Sequence, residues 1–189
     1  MNNPLCPFKI ELNEITPAIW RRFFVPADLT LETLHTIIQI VMGWENYHLY
    51  EFVISGKCYI PESENTKDLE PSHHQLISLD LKKGQSFSYV YDFGDNWRHT
   101  ITLENDTYKP DRRTTRLIKC LEGAEACPPE DCGGPLGYMD FYEAMIAPKN
   151  KHHFEVREWH LEQVGISFDG NKFDQKQINR QLQKIRVYQ

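Results

Sequence analysis

No stretch of this chain approaches the roughly 18 uninterrupted apolar residues that a membrane-spanning helix needs, so a transmembrane segment is excluded. The opening residues, Met1 to Lys9, offer no basic stretch followed by an apolar run and no small-residue cleavage site, and no secretory signal is expected. Cysteine is scarce and odd in number: five residues, Cys6, Cys58, Cys120, Cys127 and Cys132, cannot all pair within one chain. Free thiols or a metal site in the reducing cytosol are therefore expected rather than a disulfide framework. Positive charge is also short. Twenty-one Lys and Arg against 27 Asp and Glu leave a net charge of −6, which excludes a surface built throughout to neutralise phosphates and confines any nucleic-acid contact to a local patch. Ten glycines form neither a dinucleotide fingerprint nor a P-loop, and G-x-S-x-G and H-E-x-x-H are missing. Asp92-Phe93-Gly94 spells a kinase magnesium motif, but without a kinase catalytic loop, strand lysine or glycine-rich loop it is a chance match.

What is there suffices for a packed core. The 189 residues are 40% apolar, 12% aromatic and 25% charged, which excludes whole-chain disorder and suits a single domain spanning 1–189. Phe8, Ile10 and Leu12 alternate with Lys9, Glu11 and Asn13, the period of a strand with one wet face. Residues 19–25, bounded by Pro17 and Pro26, predict a second strand. Leu31, Leu34, Ile38 and Val41 then recur at helical spacing, with Thr30 as N-cap and Gly43 as the C-terminal stop. Alternation returns over 48–54, and the polar, proline-flanked residues 61–75 predict a surface loop.

A hairpin follows, and its register can be argued. Phe87, Tyr89, Tyr91 and Phe93 form the apolar set of one strand, and Trp97, His99, Ile101 and Leu103 that of the next. A two-residue turn at Asp95-Asn96 would mix the two faces, whereas a three-residue loop, Gly94-Asp95-Asn96, sets Phe93 against Trp97, Tyr91 against His99 and Asp92 across from Arg98. In that register Gly94 or Asn96 takes any positive φ. A Cys-, Pro- and Gly-rich loop is predicted over 120–137, then helices over 139–147, 153–164 and 175–186, the last with Asp174 and Gln177 at capping-box spacing. Strands first and helices last read as α+β: a mainly antiparallel sheet with one early helix and a C-terminal group of helices.

The Asp92 to His99 segment and its flanks carry a resemblance. Ile19-Trp20-Arg21-Arg22, Val25-Pro26, Leu31-x-x-Leu34-His35, Met42-Gly43-Trp44, His48-Leu49 and Phe52 come first. Tyr91-Asp92-Phe93-Gly94-Asp95-x-Trp97-x-His99 and Leu103-Glu104 form the middle. Cys120-x-x-Gly123, Cys127-Pro128-Pro129-Glu130-Asp131-x-Gly133-Gly134, Gly137-Tyr138, Phe168-Asp169 and Phe173-Asp174 close the pattern. Together these motifs, in order over about 8–182, resemble the Ri-plasmid ORF-3-like protein family. The resemblance implies a soluble protein of plasmids, mobile elements or chromosomes, without an established activity. It also implies a second histidine two residues after His48, where this chain has Tyr50. A resolvase-like role finds no recombinase nucleophile with its arginine cluster here.

Five groups of residues could carry chemistry. Asp95, Trp97 and His99 could form an acid or base beside an apolar wall, or His99 could be a core histidine and Asp95 could hold its own turn. Glu130 and Asp131, stiffened by Pro128-Pro129 and followed by Gly133-Gly134, offer hard oxygen ligands for a cation or a surface for a basic partner, or merely cap backbone amides. Arg21 and Arg22 stand beside Trp20, where they could pair with that acidic loop. Cys120, Cys127 and Cys132, with a fourth ligand from His99, His152 or His153, lack the tight spacing of a zinc knuckle, and packing as buried thiols is the simpler reading. Lys109, Arg112, Arg113, Arg116 and Lys119, and Lys172, Lys176, Arg180 and Lys184, could touch phosphates or form solvated faces.

The expectation is a cytosolic, soluble module that binds a small ligand or a protein partner, away from membranes, at a site framed by the 94–99 hairpin tip and the 128–134 loop. Asp95, Trp97, His99, Glu130, Asp131, His48 and Arg21 are its candidate residues. No cofactor is specified by the sequence. The alternatives are a metal-assisted hydrolase or nuclease and a DNA-associated accessory protein of plasmids or mobile elements.

Overall fold

The computed structural model describes residues 4–65, 67–104, 118–165 and 167–185. Among these residues, seven strands form one sheet in the order β4-β3-β5-β6-β1-β2-β7, with every neighbouring pair antiparallel. They are β1 (Leu5–Leu12), β2 (Trp20–Pro26), β3 (Tyr50–Ile54), β4 (Lys57–Tyr59), β5 (Ser86–Tyr91), β6 (Trp97–Leu103) and β7 (Lys119–Ala124). Helix α1 (Leu31–Met42) follows β2, and α2 (Gly134–Ile146), α3 (Lys151–Val164) and α4 (Gln175–Leu182) close the chain. This is the expected α+β architecture. Short 3-10 turns at Pro71–His73 and Leu76–Leu79 lie along and just beyond the predicted 61–75 loop. Among the described residues no helix is long and apolar enough to cross a membrane.

Helix α1 forms where its pattern placed it. The Thr30 side chain accepts from Thr33 N, and Gly43 ends the helix at φ 109°, a conformation that glycine adopts without the steric cost of a Cβ. Its stripe of Leu31, Leu34, Ile37, Ile38 and Val41 is fully buried in one core with Phe8, Ile10, Phe23, Phe52, Tyr89 and Ile101 from the sheet.

Two expectations are corrected. Strand β7, within what read as loop, pairs with the outer side of β2, and its free edge is covered by α4. Asn179 Nδ2 donates to the Cys120 carbonyl while Asn179 Oδ1 accepts from Cys120 N, so one side chain takes the place of a neighbouring strand's peptide group. No hydrophobic alternation announces β7, whose residues are half-buried apart from buried Cys120 and exposed Glu122. The hairpin register is the second correction. Tyr91 faces Trp97 and Tyr89 faces His99, two residues from the expected pairing, and Arg98 stands across from Val90 rather than Asp92. Asp92 leaves the strand in the left-handed region at φ 55°, its Oδ1 accepting from Gly94 N and its carbonyl from Asn96 N, so the turn begins earlier. A slip of two residues preserves the inward face, so Tyr89, Tyr91, Trp97, His99 and Ile101 are all buried. Phe93 is left 49% exposed.

Candidate functional site

Three loops meet at one end of the sheet, each held by side chains from the core. The first runs from the end of α1 into β3. His35 and Gln39, buried on α1, flank the Tyr89 hydroxyl: Gln39 Nε2 donates to it at 3.0 Å, and it donates to His35 Nδ1 at 2.8 Å. The remaining His35 nitrogen, Nε2, then donates to Asn46 Oδ1 at 2.6 Å, and Asn46 N donates to Gln39 Oε1. Burial lowers the His35 pKa to about 4, so the ring is neutral, as this pattern of one donor and one acceptor requires. Two residues beyond Asn46 stands His48.

The second loop is the β5–β6 turn carrying Asp92, and the third is the segment of 125–133 after β7. Trp44 Nε1 donates to the Pro128 carbonyl and Glu45 N to Glu130 Oε1, which ties the third loop to the first. Tyr91 stands between them, its hydroxyl accepting from Tyr47 N and donating to Glu130 Oε1, both at 3.0 Å. The hairpin tip joins through Asp95 Oδ2, which accepts from Gly133 N. Gly134, at φ 69°, lies so close to the tip that a Cβ there would stand 2.4 Å from the Asp95 carbonyl oxygen. This close approach requires glycine.

His48 Nε2 lies where the loops converge, 3.2 Å from Asp131 Oδ1, 3.6 Å from Asp92 Oδ2 and 3.9 Å from Glu130 Oε2. None of these three contacts is a hydrogen bond: His48 Nε2 and Glu130 Oε2 are both buried atoms without a hydrogen-bonding partner. Burial, the largest influence, raises the Glu130 pKa above the ordinary carboxylate range, against the hydrogen bonds from Glu45 N and Tyr91. Among the described residues, His48, Asp92 and Asp131 form the group whose ligand atoms, one from each, all lie within 4.8 Å of one another. One imidazole and two carboxylates, with a third carboxylate beside them, match the donor set of a divalent cation that prefers oxygen ligands.

The pairing of an imidazole with the Glu130-Asp131 acids was expected, but the imidazole is His48 and not His99. His99 and Trp97 are sealed in the core. His99 Nδ1 lies 3.3 Å from the Tyr89 carbonyl, its ring packs edge-on against Trp44, and burial lowers its pKa to about 3. Asp95 fastens the hairpin tip to Gly133, while the Asx turn expected of it is made by Asp92. Arg21 is buried away from the acidic loop, with Nε donating to the Val41 carbonyl and the two terminal nitrogens to those of Trp20, Ala124 and Glu125. Arg22 pairs instead with Glu104 and Glu122. Tyr50, in the place of the second histidine, is buried with its ring stacked on His35 at 3.6 Å.

Cys120, Cys127 and Cys132 are free thiols whose pKa values burial pushes up, to about 11 for Cys120 and about 12 for Cys132. Among the described residues the group of converging metal-ligating atoms includes none of these cysteines, which lie in or pack against the core. His152 lies 2.8 Å from Asp140 rather than beside a cysteine, and His153 Nδ1 accepts from Lys149 N. Lys109, Arg112, Arg113 and Arg116 fall outside the described residues, and Lys172, Lys176, Arg180 and Lys184 are exposed. Sequence reasoning missed Asp92, set aside within a chance motif. Its signal was available: a carboxylate at the last position before a Gly-containing turn, directly after an aromatic strand.

Residues 5–177 match the family model described as plasmid pRiA4b ORF-3-like protein. The chain is 38% identical over 154 residues to the uncharacterised protein y4hQ of Sinorhizobium fredii (strain NBRC 101917 / NGR234), an alignment that covers 80% of this chain and 78% of that one. Its fold is similar to the crystal structure of a protein of unknown function, MM3350, from Methanosarcina mazei Go1, with a TM-score of 0.77, 31% identity, and coverage of 91% of this chain and 96% of that one.

Proposed function

We propose that this chain, which belongs to the plasmid pRiA4b ORF-3-like protein family, is a ligand-binding module built around a divalent-cation site, with His48, Asp92 and Asp131 as protein ligands. The observation that carries this reading is the His48 Nε2 atom, buried and without a hydrogen bond within 3.9 Å of three carboxylate oxygens. Three carboxylates so close repel one another unless positive charge stands between them. A divalent cation supplies more of it than an imidazolium, and it gives each unpartnered atom a bond. The oxygen-rich set favours magnesium or manganese over zinc, which is drawn to sulfur and nitrogen. Five free cysteines support a reducing, cytosolic compartment, and the family's plasmid origin supports an association with mobile elements.

Metal analysis of untagged protein and thermal unfolding with added manganese or magnesium test this reading. At about 100 times the dissociation constant, a bound cation should stabilise the native state by about 2.7 kcal/mol. The gain should vanish in His48→Ala and Asp131→Ala. Stabilisation that is absent, or that survives both substitutions, overturns the proposal.

Metal-assisted hydrolysis is the second reading, and Glu130 favours it. One of its oxygens is held by Tyr91 and Glu45 while the other points free beside the imidazole, as in a carboxylate placed to take a proton from water. Glu130→Gln should then keep the cation and lose manganese-dependent hydrolysis of bis(p-nitrophenyl) phosphate. No hydrolysis by the parent protein would remove this reading and leave the binding module standing.

A further inference from the structure

Three large apolar side chains that a folded protein would be expected to bury stand out at the same loops. Tyr47 and Leu49, on either side of His48, are 70% and 58% exposed, and Phe93, next to Asp92, is 49% exposed. The two segments are joined, because Asp92 N donates to the Leu49 carbonyl at 2.9 Å. Tyr47 is fixed at both ends, its amide donating to the Tyr91 hydroxyl and its own hydroxyl to Glu45. Phe93 belongs by alternation to the apolar face of its strand, yet the early turn at Asp92 swings it out to solvent. His48 and Asp92 thus each have exposed apolar neighbours in sequence, on two segments that the Asp92–Leu49 hydrogen bond holds together.

We infer that the site takes a ligand which places an oxyanion on the cation and a flat aromatic or heterocyclic ring against Tyr47 and Phe93. The inference rests on the cation site proposed above. His48, Asp92 and Asp131 supply three of the six ligands that magnesium or manganese takes, which leaves coordination positions for phosphate or carboxylate oxygens. No arginine or lysine forms an ion pair with His48, Asp92, Glu130 or Asp131 among the described residues, so the cation itself must attract the anion. The rings supply what the cation cannot: selection for a planar apolar group by stacking and burial.

Calorimetric titration of the manganese-loaded protein tests it with two matched pairs of probes, phenyl phosphate against inorganic phosphate and benzoate against acetate. In at least one pair the aromatic member should bind five- to tenfold more tightly, and the pair that does so tells whether phosphate or carboxylate is the natural head group. Phe93→Ala and Tyr47→Ala should each cut that preference severalfold while leaving manganese affinity within twofold. Both side chains are largely solvent-facing, so neither truncation should unfold the protein. Manganese that binds while aromatic and non-aromatic probes bind alike, or a preference untouched by both substitutions, overturns the inference alone. Failure of manganese to bind overturns it together with the reading of the site.

Discussion

Asp131 sits at φ 55°, in the left-handed region where an aspartate is tolerated at a cost and a glycine at none, while its side chain is 69% exposed. Backbone strain and the proposed metal ligation therefore meet on one residue, and one substitution separates them. Asp131→Gly should leave the thermal midpoint of the cation-free protein unchanged or raise its stability by up to about 1 kcal/mol, and should abolish stabilisation by manganese. Melting curves with and without the ion read both. Asp92 at φ 55°, Asn96 at φ 58°, Glu125 at φ 63° and Asn46 at φ 61° stand in the same region, so each of the three site loops contains at least one non-glycine residue in it. Such positions cluster where geometry is held by surrounding structure rather than by local preference.

Two buried imidazoles make the second prediction at this scale. The His35 and His99 pKa values are lowered to about 4 and about 3 by burial. Above about pH 6.5 both rings are neutral whether the chain is folded or not, and they cost nothing. As the pH falls from there the unfolded chain takes up these protons first, so stability should decline continuously towards pH 4, by on the order of 2 kcal/mol for each ring. Urea midpoints recorded between pH 7 and 4 measure it. A flat profile would mean that neither ring's pKa is lowered within the fold.

At the scale of the element, the helices and strands with a strong repeat form where the pattern places them, and the exceptions have physical reasons. Helix α1 carries both caps and an unbroken buried stripe, so its boundaries were legible to the residue. Strand β7 was not, because its pairing partner β2 lies about a hundred residues earlier and its outer edge is satisfied by a side chain of α4. Asn179→Ala should therefore destabilise the fold by about 2 kcal/mol, since it leaves the Cys120 N–H unpaired and removes a donor from the Cys120 carbonyl. Chemical denaturation checks this, and hydrogen exchange should locate the loss in β7. Asn179→Asp, which keeps an acceptor for the N–H, should recover part of it. In the β5–β6 hairpin the inward face was legible but the turn was not, because Asp92 ended the strand by hydrogen bonds that alternation does not encode.

Over the whole molecule, Arg21 joins the pieces that make the site possible. From β2 its guanidinium reaches the Val41 carbonyl at the end of α1 and the Ala124 and Glu125 carbonyls where β7 passes into the third loop, with its Cζ 4.9 Å from the Phe173 ring centroid. A cation at the carbonyl end of a helix is favourably placed, and here it also fixes the path of the chain towards Glu130 and Asp131. Burial lowers its pKa from the ordinary arginine value, the direction expected of a guanidinium whose partners are carbonyls within the protein. Arg21→Met should cost at least about 3 kcal/mol, because it strands buried carbonyls of three segments at once, and any folded fraction should bind manganese more weakly although no ligand has changed. Denaturation midpoints and manganese titration separate the two effects.

Periodicity, caps and the order of the motifs determined the α+β class, helix α1, the inward face of the central hairpin, the family and the presence of Glu130, Asp131 and His48 among residues able to carry chemistry. These are properties of neighbouring residues, and a chain declares them locally. Which imidazole meets the acids was decided by the tertiary structure alone. Packing buried His99 between Tyr89 and Trp44, turned Asp92 out of its strand, and brought the loop of His48 against that of Glu130 through hydrogen bonds spanning some 40 to 85 residues of sequence. Contacts of that range depend on how the whole core closes, and no spacing along the chain records them.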